Sequence, residues 1–396
     1  MNMSIHPGRA RGFSVIELMV SVVVGMLALM FATRLIVGGE QGKQGALGSS
    51  DSMQNGMLAM FSMSNDASQA GFGLNDPLIV GCNTVFSDTE GYALAPANRG
   101  LVVVRPLAAA VIESNGANPD RISLYAGSSM TGTGTMRLTT TYAAGAALIV
   151  DRVPYGFRQN DVLLVAPETV GGDCALAQIS SDPSALAPGQ QSVAVAAGAN
   201  FRFNRANLGA VFTAGVARMF NLGPAANLSF HTWSVNDGFL QLRSTDLAGA
   251  AAAATTVVDN IVSIKAQYGF DLSAGFSPEA GVVVSQWSAA MIDADGDGVV
   301  GGAADYQRVT ALRLAVVARS RVPEKPDSSG VCGATTAQPV VFAGVALATV
   351  AAAPITVNVA VTGDPIDWKC YRYRVFETVV PLRNTAWRPT AWKPQE

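Results

Sequence analysis

The chain has 396 residues, 49% of them apolar and only 14% charged, and a formal net charge of −3. That balance is too apolar for a disordered chain, and the length suffices to bury a sizeable core. No long basic block interrupts it, which argues against a broad nucleic-acid-binding face, and the abundance of Gly, Ala, Val, Ser and Thr suits a β-rich exported protein with many turns.

Residues 1–12 are polar and basic, with His6, Arg9 and Arg11 beside Pro7 and two glycines. Residues 13–37 are almost wholly apolar; Ser14, Glu17, Ser21, Thr33 and Arg34 bring the polar side chains. A membrane-spanning helix needs about 20 residues. Counted from Leu18, the charge-free stretch ends at Thr33 and is short. Counted from Phe13, the length suffices and Glu17 falls inside the span. An ionisable group there is costly, so it marks a function and a partner. A cut after Gly12 would create that partner: the new α-amine of Phe13 lies one helical turn from Glu17, on the same chain or on a neighbour, in a low-dielectric setting where pairing is strongest. The stretch lacks the small-x-small ending of an ordinary secretory signal, because Met30 stands where a small residue is needed. The basic leader predicts that it stays cytoplasmic while the rest is exported.

The run Arg11-Gly12-Phe13-Ser14-Val15-Ile16-Glu17-Leu18 resembles the class III signal of type IV prepilins. The resemblance implies that a prepilin peptidase cuts after Gly12 and methylates Phe13, and that Glu17, then the fifth mature residue, serves filament assembly. It also implies a single-pass inner-membrane protein with its head in the periplasm, later carried into a pilus at the cell surface.

No proline occurs between Pro7 and Pro77, so the helix is expected to continue past the membrane. Leu47, Met57, Met60 and Phe61 form a loose helical stripe. Gly38, Gly39, Gly42, Gly45 and Gly48 weaken this part by about 1 kcal/mol each relative to alanine, which predicts a soft segment over 38–48 in a helix reaching Gly71. Beyond Gly73, short β-like runs separated by Asn, Gly, Pro and Asp predict strands at 101–105, 147–150, 161–165 and 192–195. Residues 250–262 read as a short helix leading into a strand over 264–270, and further strands are expected at 309–318 and 371–380. Residues 340–361 are apolar enough to suggest a second span, but Gly344, Pro354, Asn358 and many β-branched residues favour a pair of buried strands. The fold class is α+β: a long pilin-like helix, half transmembrane and half soluble, then a large β-rich head. The expected divisions are a leader at 1–12, a transmembrane and filament-core helix at 13–37, its soluble half at 38–72, a variable β-rich part at 73–245 and a pilin-like β-rich part at 246–396.

Four cysteines, Cys82, Cys174, Cys332 and Cys370, favour disulfides in an exported chain, and none has a zinc-ligand spacing. Of three possible pairings, Cys82 with Cys174 and Cys332 with Cys370 keeps each bridge within one half of the head. Asp293, Asp295 and Asp297 alternate along a glycine-containing loop, the pattern of hard oxygens around Ca²⁺, with the Val299 carbonyl following and Asp305 closing the ring. The twelfth loop position is Ala304 and the flanks at 282–287 and 309–317 read as strands, so this is not an EF-hand. Catalysis finds little support. His231 is the one histidine beyond the leader, nothing around it resembles a nucleophile elbow, and Gly132-Thr133-Gly134 lacks a phosphate-loop ending. The aromatic and basic tail around Trp387 and Trp392 reads as an exposed end.

A second resemblance covers less of the chain. Segments 257–271, 308–320 and 374–384, with Ala70-Gly71-Phe72-Gly73, are similar to PilW-type minor pilins. This implies a subunit that primes type IV pilus assembly with other minor pilins and the major pilin near the filament tip, helped by the inner-membrane assembly machinery. A type II secretion pseudopilin shares the leader, and a tip adhesin or DNA-uptake subunit would use the unmatched region 80–245 to bind a ligand; both stay open at this point.

Overall fold

The computed structural model describes residues 14–129, 135–183, 191–276, 281–327 and 329–386, with the helical backbone alone at 37–49. Gly12, Phe13, Gly132 and the tail beyond Ala386 lie outside the described residues. The chain divides into two units, residues 1–51 and 52–396. One helix, α1 (Val15–Gln69), runs from the first into the second. It is unbroken through 38–48, where the glycines predicted a soft segment. In the first unit, Val15–Ile36 has a mean hydropathy of 2.5 and none of it is buried, so it is long and apolar enough to cross a membrane.

The second unit is built from the end of α1 and three main sheets. The helix buries Ser52, Gly56, Ala59, Met63, Ala67 and Ala70, spaced by three and four so that they share one face. Most are small, which lets the helix lie close to its neighbours. Gly56 shows how close: a Cβ there would stand 2.0 Å from the ring of Phe376. The helix ends in a left-handed Gly71 (φ 81°) whose N–H bonds to the Tyr125 carbonyl at 2.8 Å, a conformation glycine adopts without strain. Asn384 donates its side-chain N–H to the carbonyls of Gln69 and Ala70 at 3.0 and 3.2 Å, satisfying the orphaned helix end.

The carboxyl-terminal sheet is antiparallel, in the order Gln286–Ser288, Ile261–Phe270, Val309–Arg319, Tyr373–Pro381. The middle sheet is also antiparallel: Thr255–Asp259, Phe239–Ser244, Ser229–Asn236, Arg121–Ala126, Ala110–Glu113. The third runs Asn83–Val85, Asp173–Gln178, Asp161–Pro167, Ala217–Pro224, Thr135–Arg137, with its first pair parallel. Alternation along the middle sheet explains its place between the others. Ile122, Leu124 and Trp233 join α1 and the carboxyl-terminal sheet in one core, while Val111, Tyr125 and Phe230 join the third sheet in another. The division expected at 245/246 falls between Phe239–Ser244 and Thr255–Asp259, neighbours in the middle sheet.

The short helix expected over 250–262 is instead two strands, Thr255–Asp259 and Ile261–Phe270. Thr255, Thr256 and Val258 are β-branched and pair along the middle sheet, with the β-branched Val257 as a bulge between them; Asn260, at φ 56°, turns the corner into the next sheet. Within 340–361, Val340–Val341 pairs with Ile355–Thr356, and Val341, Phe342, Val357 and Val359 are buried against Val262, Ala315 and Val317. This segment straps one face of the carboxyl-terminal sheet. Glu377 accepts from the Phe342 N–H at 2.6 Å and from Arg313 at 2.8 Å. Disulfides join Cys82 to Cys174 and Cys332 to Cys370, the first beside the parallel strand pair and the second tethering the start of the strap.

Lys265 and Asp120 form an ion pair with both side chains fully buried. The ammonium also donates to the carbonyls of Gly116 and Asn118 at 2.8 and 3.0 Å, and Asp120 accepts the N–H groups of Asn115 and Ala266 at 2.9 and 3.2 Å. Burial pushes the Asp120 carboxyl above the usual range against the pull of Lys265 and these N–H groups. Such a pair contributes little net stability while intact, but breaking it strands a buried charge. Lys265→Ala is expected to lower the unfolding free energy by about 3–5 kcal/mol in urea titrations, and Lys265→Met with Asp120→Asn should recover a large part of that loss.

Candidate functional site

Three features carry charge into positions that the fold alone does not require. The first is Glu17, in the apolar stretch of α1. Ser14 precedes the first helical residue, and its hydroxyl accepts the Ile16 N–H at 3.3 Å. The Glu17 carboxylate reaches back to the Ser14 N–H at 3.1 Å. Ser14-x-x-Glu17 has the sequence of a capping box, a local signal for the start of a helix, with the hydroxyl taking the N–H two residues on in place of the third. The carboxylate also sits at the positive end of the helix dipole. Farther along α1, Met53, Met57, Leu58 and Phe61 are exposed, Phe61 by 70%, so the helix displays an apolar stripe outward as well as the small-residue face inward.

The second feature is His231, half-buried on the middle sheet. Its Nδ1 lies 2.7 Å from Asp66 Oδ2 on α1, and its Nε2 lies 2.8 Å from Asp246 Oδ1. Trp233 Nε1 donates to the same Asp66 oxygen at 2.8 Å, and Ser244 donates to Asp246. Ser229 Oγ stands 3.1 Å from His231 Nε2, so Ser229, His231 and Asp66 have the distances of a nucleophile, base and orienting acid. The electrostatics oppose that use. Burial alone would lower the imidazole pKa, but the bonds and charges of Asp246 and Asp66 outweigh it and lift the pKa to about 9. The Asp246 carboxyl is held low by the same pair, against its own burial. At neutral pH the ring is an imidazolium with both protons directed at carboxylates, so it has no lone pair with which to take a proton from Ser229. The cluster is an ionic clamp of α1 onto the sheet. Asp66 and His231 are 165 positions apart, and no spacing rule connects them.

The third feature is the acidic loop. Carboxylate oxygens of Asp293, Asp295 and Asp297 lie within 4.8 Å of one another. Each also accepts a loop N–H: Gly296 and Gly298 donate to Asp293, Asp297 to Asp295, and Val299 to Asp297. The Val299 carbonyl accepts from Gly302 at 3.3 Å. Asp305, on the short helix α2 (Ala303–Gln307), takes a different part. One of its oxygens accepts the N–H groups of Ala294 and Asp295 and the other those of Gly301 and Gly302, at 2.6–3.2 Å. Its lone pairs are committed to the backbone, so it shapes the loop from within, fully buried.

Residues 231–384 match the PilW family, described as type IV pilus-assembly protein W. That match supports a PilW-type type IV pilus protein. It implies a part in pilus assembly and contacts with other pilus components, and the apolar helix Val15–Ile36 fits a single-pass membrane anchor. No curated protein and no solved structure matches the chain. The PilW stretch opens on His231, closes on the helix-capping Asn384 and contains the carboxyl-terminal sheet and the acidic loop. The strands of the third sheet all lie outside it.

The clamp has a pH signature. A histidine whose pKa rises from 6.5 to about 9 on folding contributes stability that is fully present below pH 6.5 and is lost as pH climbs through about 9. The difference corresponds to roughly 3 kcal/mol. Urea unfolding of the chain is therefore expected to show falling stability between those two pH values, and His231→Gln should remove most of the slope. An unchanged slope in that variant would assign the pH dependence elsewhere.

Proposed function

We propose that this chain is a minor pilin, clipped by prepilin peptidase after Gly12, methylated at Phe13, and packed through α1 into a type IV pilus near its tip, where it primes assembly with other minor pilins and the major pilin. Before that step it is held in the inner membrane with its head in the periplasm, in contact with the pilus assembly machinery. The observation that carries this reading is the construction of α1. One continuous helix holds an acid near its start, a span that fits a membrane, and an exposed stripe of Met53, Met57 and Phe61 beyond it. An anchor alone would need neither the acid nor the stripe, whereas helix-to-helix packing uses both. Mass spectrometry of the mature subunit is expected to find methylated Phe13 at the amino terminus. Glu17→Ala should insert into the membrane at the normal level and be missing from sheared pili; normal incorporation would refute the assembly role of Glu17.

A second reading concerns the loop. The convergence of Asp293, Asp295 and Asp297, with the Val299 carbonyl next in line, supports binding of Ca²⁺ at the modest affinity of extracellular modules. Asp305 then serves by bracing the loop. Calorimetry on the full-length chain in detergent should register calcium binding that Asp295→Ala abolishes; no calcium heat in the unaltered chain would end this reading.

A further inference from the structure

Between the strand Asn83–Val85 and the segment that carries Tyr92 lies a groove of about 360 Å³, within the usual range for small-molecule sites. It is lined by Asn83, Val85, Phe86 and Tyr92, and by two arginines, Arg105 and Arg205. Among the described residues neither arginine forms an ion pair, and both are exposed. Acids of the surrounding segments are engaged elsewhere: Asp88 and Glu90 hold Arg202 at 2.7 and 3.0 Å, and Asp173 accepts from Asn83 at 2.9 Å. Two guanidinium groups thus line one groove without an opposite charge, in a chain whose net charge is negative.

The backbones that carry them are fixed. The Arg105 N–H donates to the Asn83 side chain at 3.0 Å, and its carbonyl accepts the Thr84 N–H at 2.9 Å. Cys82, next to Asn83, is bonded to Cys174. Arg205 follows Asn204, whose amide accepts from the Gln178 N–H and donates to the carbonyls of Gln178 and Ala196 at 2.6–2.9 Å. Phe86 packs against Tyr92, Phe203 and Phe230 with ring centroids 5.6–6.3 Å apart, giving the groove a rigid aromatic wall. Fixed walls, an apolar and aromatic surface, and two forked cations without counter-charge are what an anion on a compact body requires.

We propose that this groove binds a small organic anion, a carboxylate or phosphate carried on a body of sugar size, gripped by Arg105 and Arg205. The site lies outside the stretch that matches PilW and does not depend on the filament role. The test is calorimetric titration of the full-length chain in detergent with glucuronate, glucose 6-phosphate and glucose. At least one of the two anions is expected to bind and glucose to fail, and the pair of anions tells carboxylate from phosphate. Arg105→Gln with Arg205→Gln should weaken binding by at least about tenfold, while Arg105→Lys with Arg205→Lys keeps the charge and retains part of it. Both side chains are exposed, so the thermal midpoint should stay put. No binding of either anion at millimolar concentration, equal binding of glucose, or full binding by the double glutamine variant would each overturn the proposal.

Discussion

The close approach of α1 to the carboxyl-terminal sheet conditions most of what the head can do. Ser52, Gly56, Ala59, Ala67 and Ala70 carry little side chain, so helix backbone and sheet residues such as Phe376 share a space that larger residues would fill. Small residues gain little burial energy each, and polar ties secure the seam: Asn55 to Asp259 at 2.6 Å, Asp66 to His231 and Trp233, and Asn384 to the end of the helix. The carboxyl-terminal sheet, the middle sheet and the last residue of the PilW-like stretch therefore all hold the same end of the helix, residues 52–70, which is about five turns. A pull on α1 is a pull on the core of the head.

Features written locally were legible in the sequence. The apolar run at the start of α1, the strands at 309–318 and 371–380, and the strap at 340–361 each follow from a short window of residues. The helix expected at 250–262 shows where a window fails. Ala250–Ala254 has high helix propensity, but the β-branched residues after it have partners in the middle sheet, and tertiary pairing overrode the local preference. Asp305 shows another limit: its position suits a metal ligand, and the four N–H groups of its own loop that bond to its oxygens have no mark in the sequence. The clamp between Asp66 and His231 could not be read at all, because nothing near either residue in sequence points to the other.

Charge is scarce in this chain, and two uses of it stand out. Lys265 with Asp120, Arg313 with Glu377, and His231 between its two carboxylates are interior or half-interior groups fully occupied by one another. They specify which strands and segments meet. The acidic loop and the two groove arginines are exposed and lack opposite charges among the described residues. The first kind lies on the seams between α1, the two antiparallel sheets and the strap; the second faces outward from the head.

Glu17 belongs to neither kind. An acid in a membrane span needs compensation from the moment the span is inserted, before any neighbouring subunit is present. The helix cap supplies part of it: the Ser14 N–H donates to the carboxylate, which lies at the positive end of the helix dipole. Removing the residues before Phe13 would leave this cap intact, since Ser14 is the residue that donates. It would also bring a cationic amine to the same end of the helix. On the proposed filament role, local capping would hold the acid in the membrane and leave the stronger charge pairing for the assembled helices. On that role, anchoring and assembly would make different demands on one carboxylate, and the third position of the helix would let it answer both.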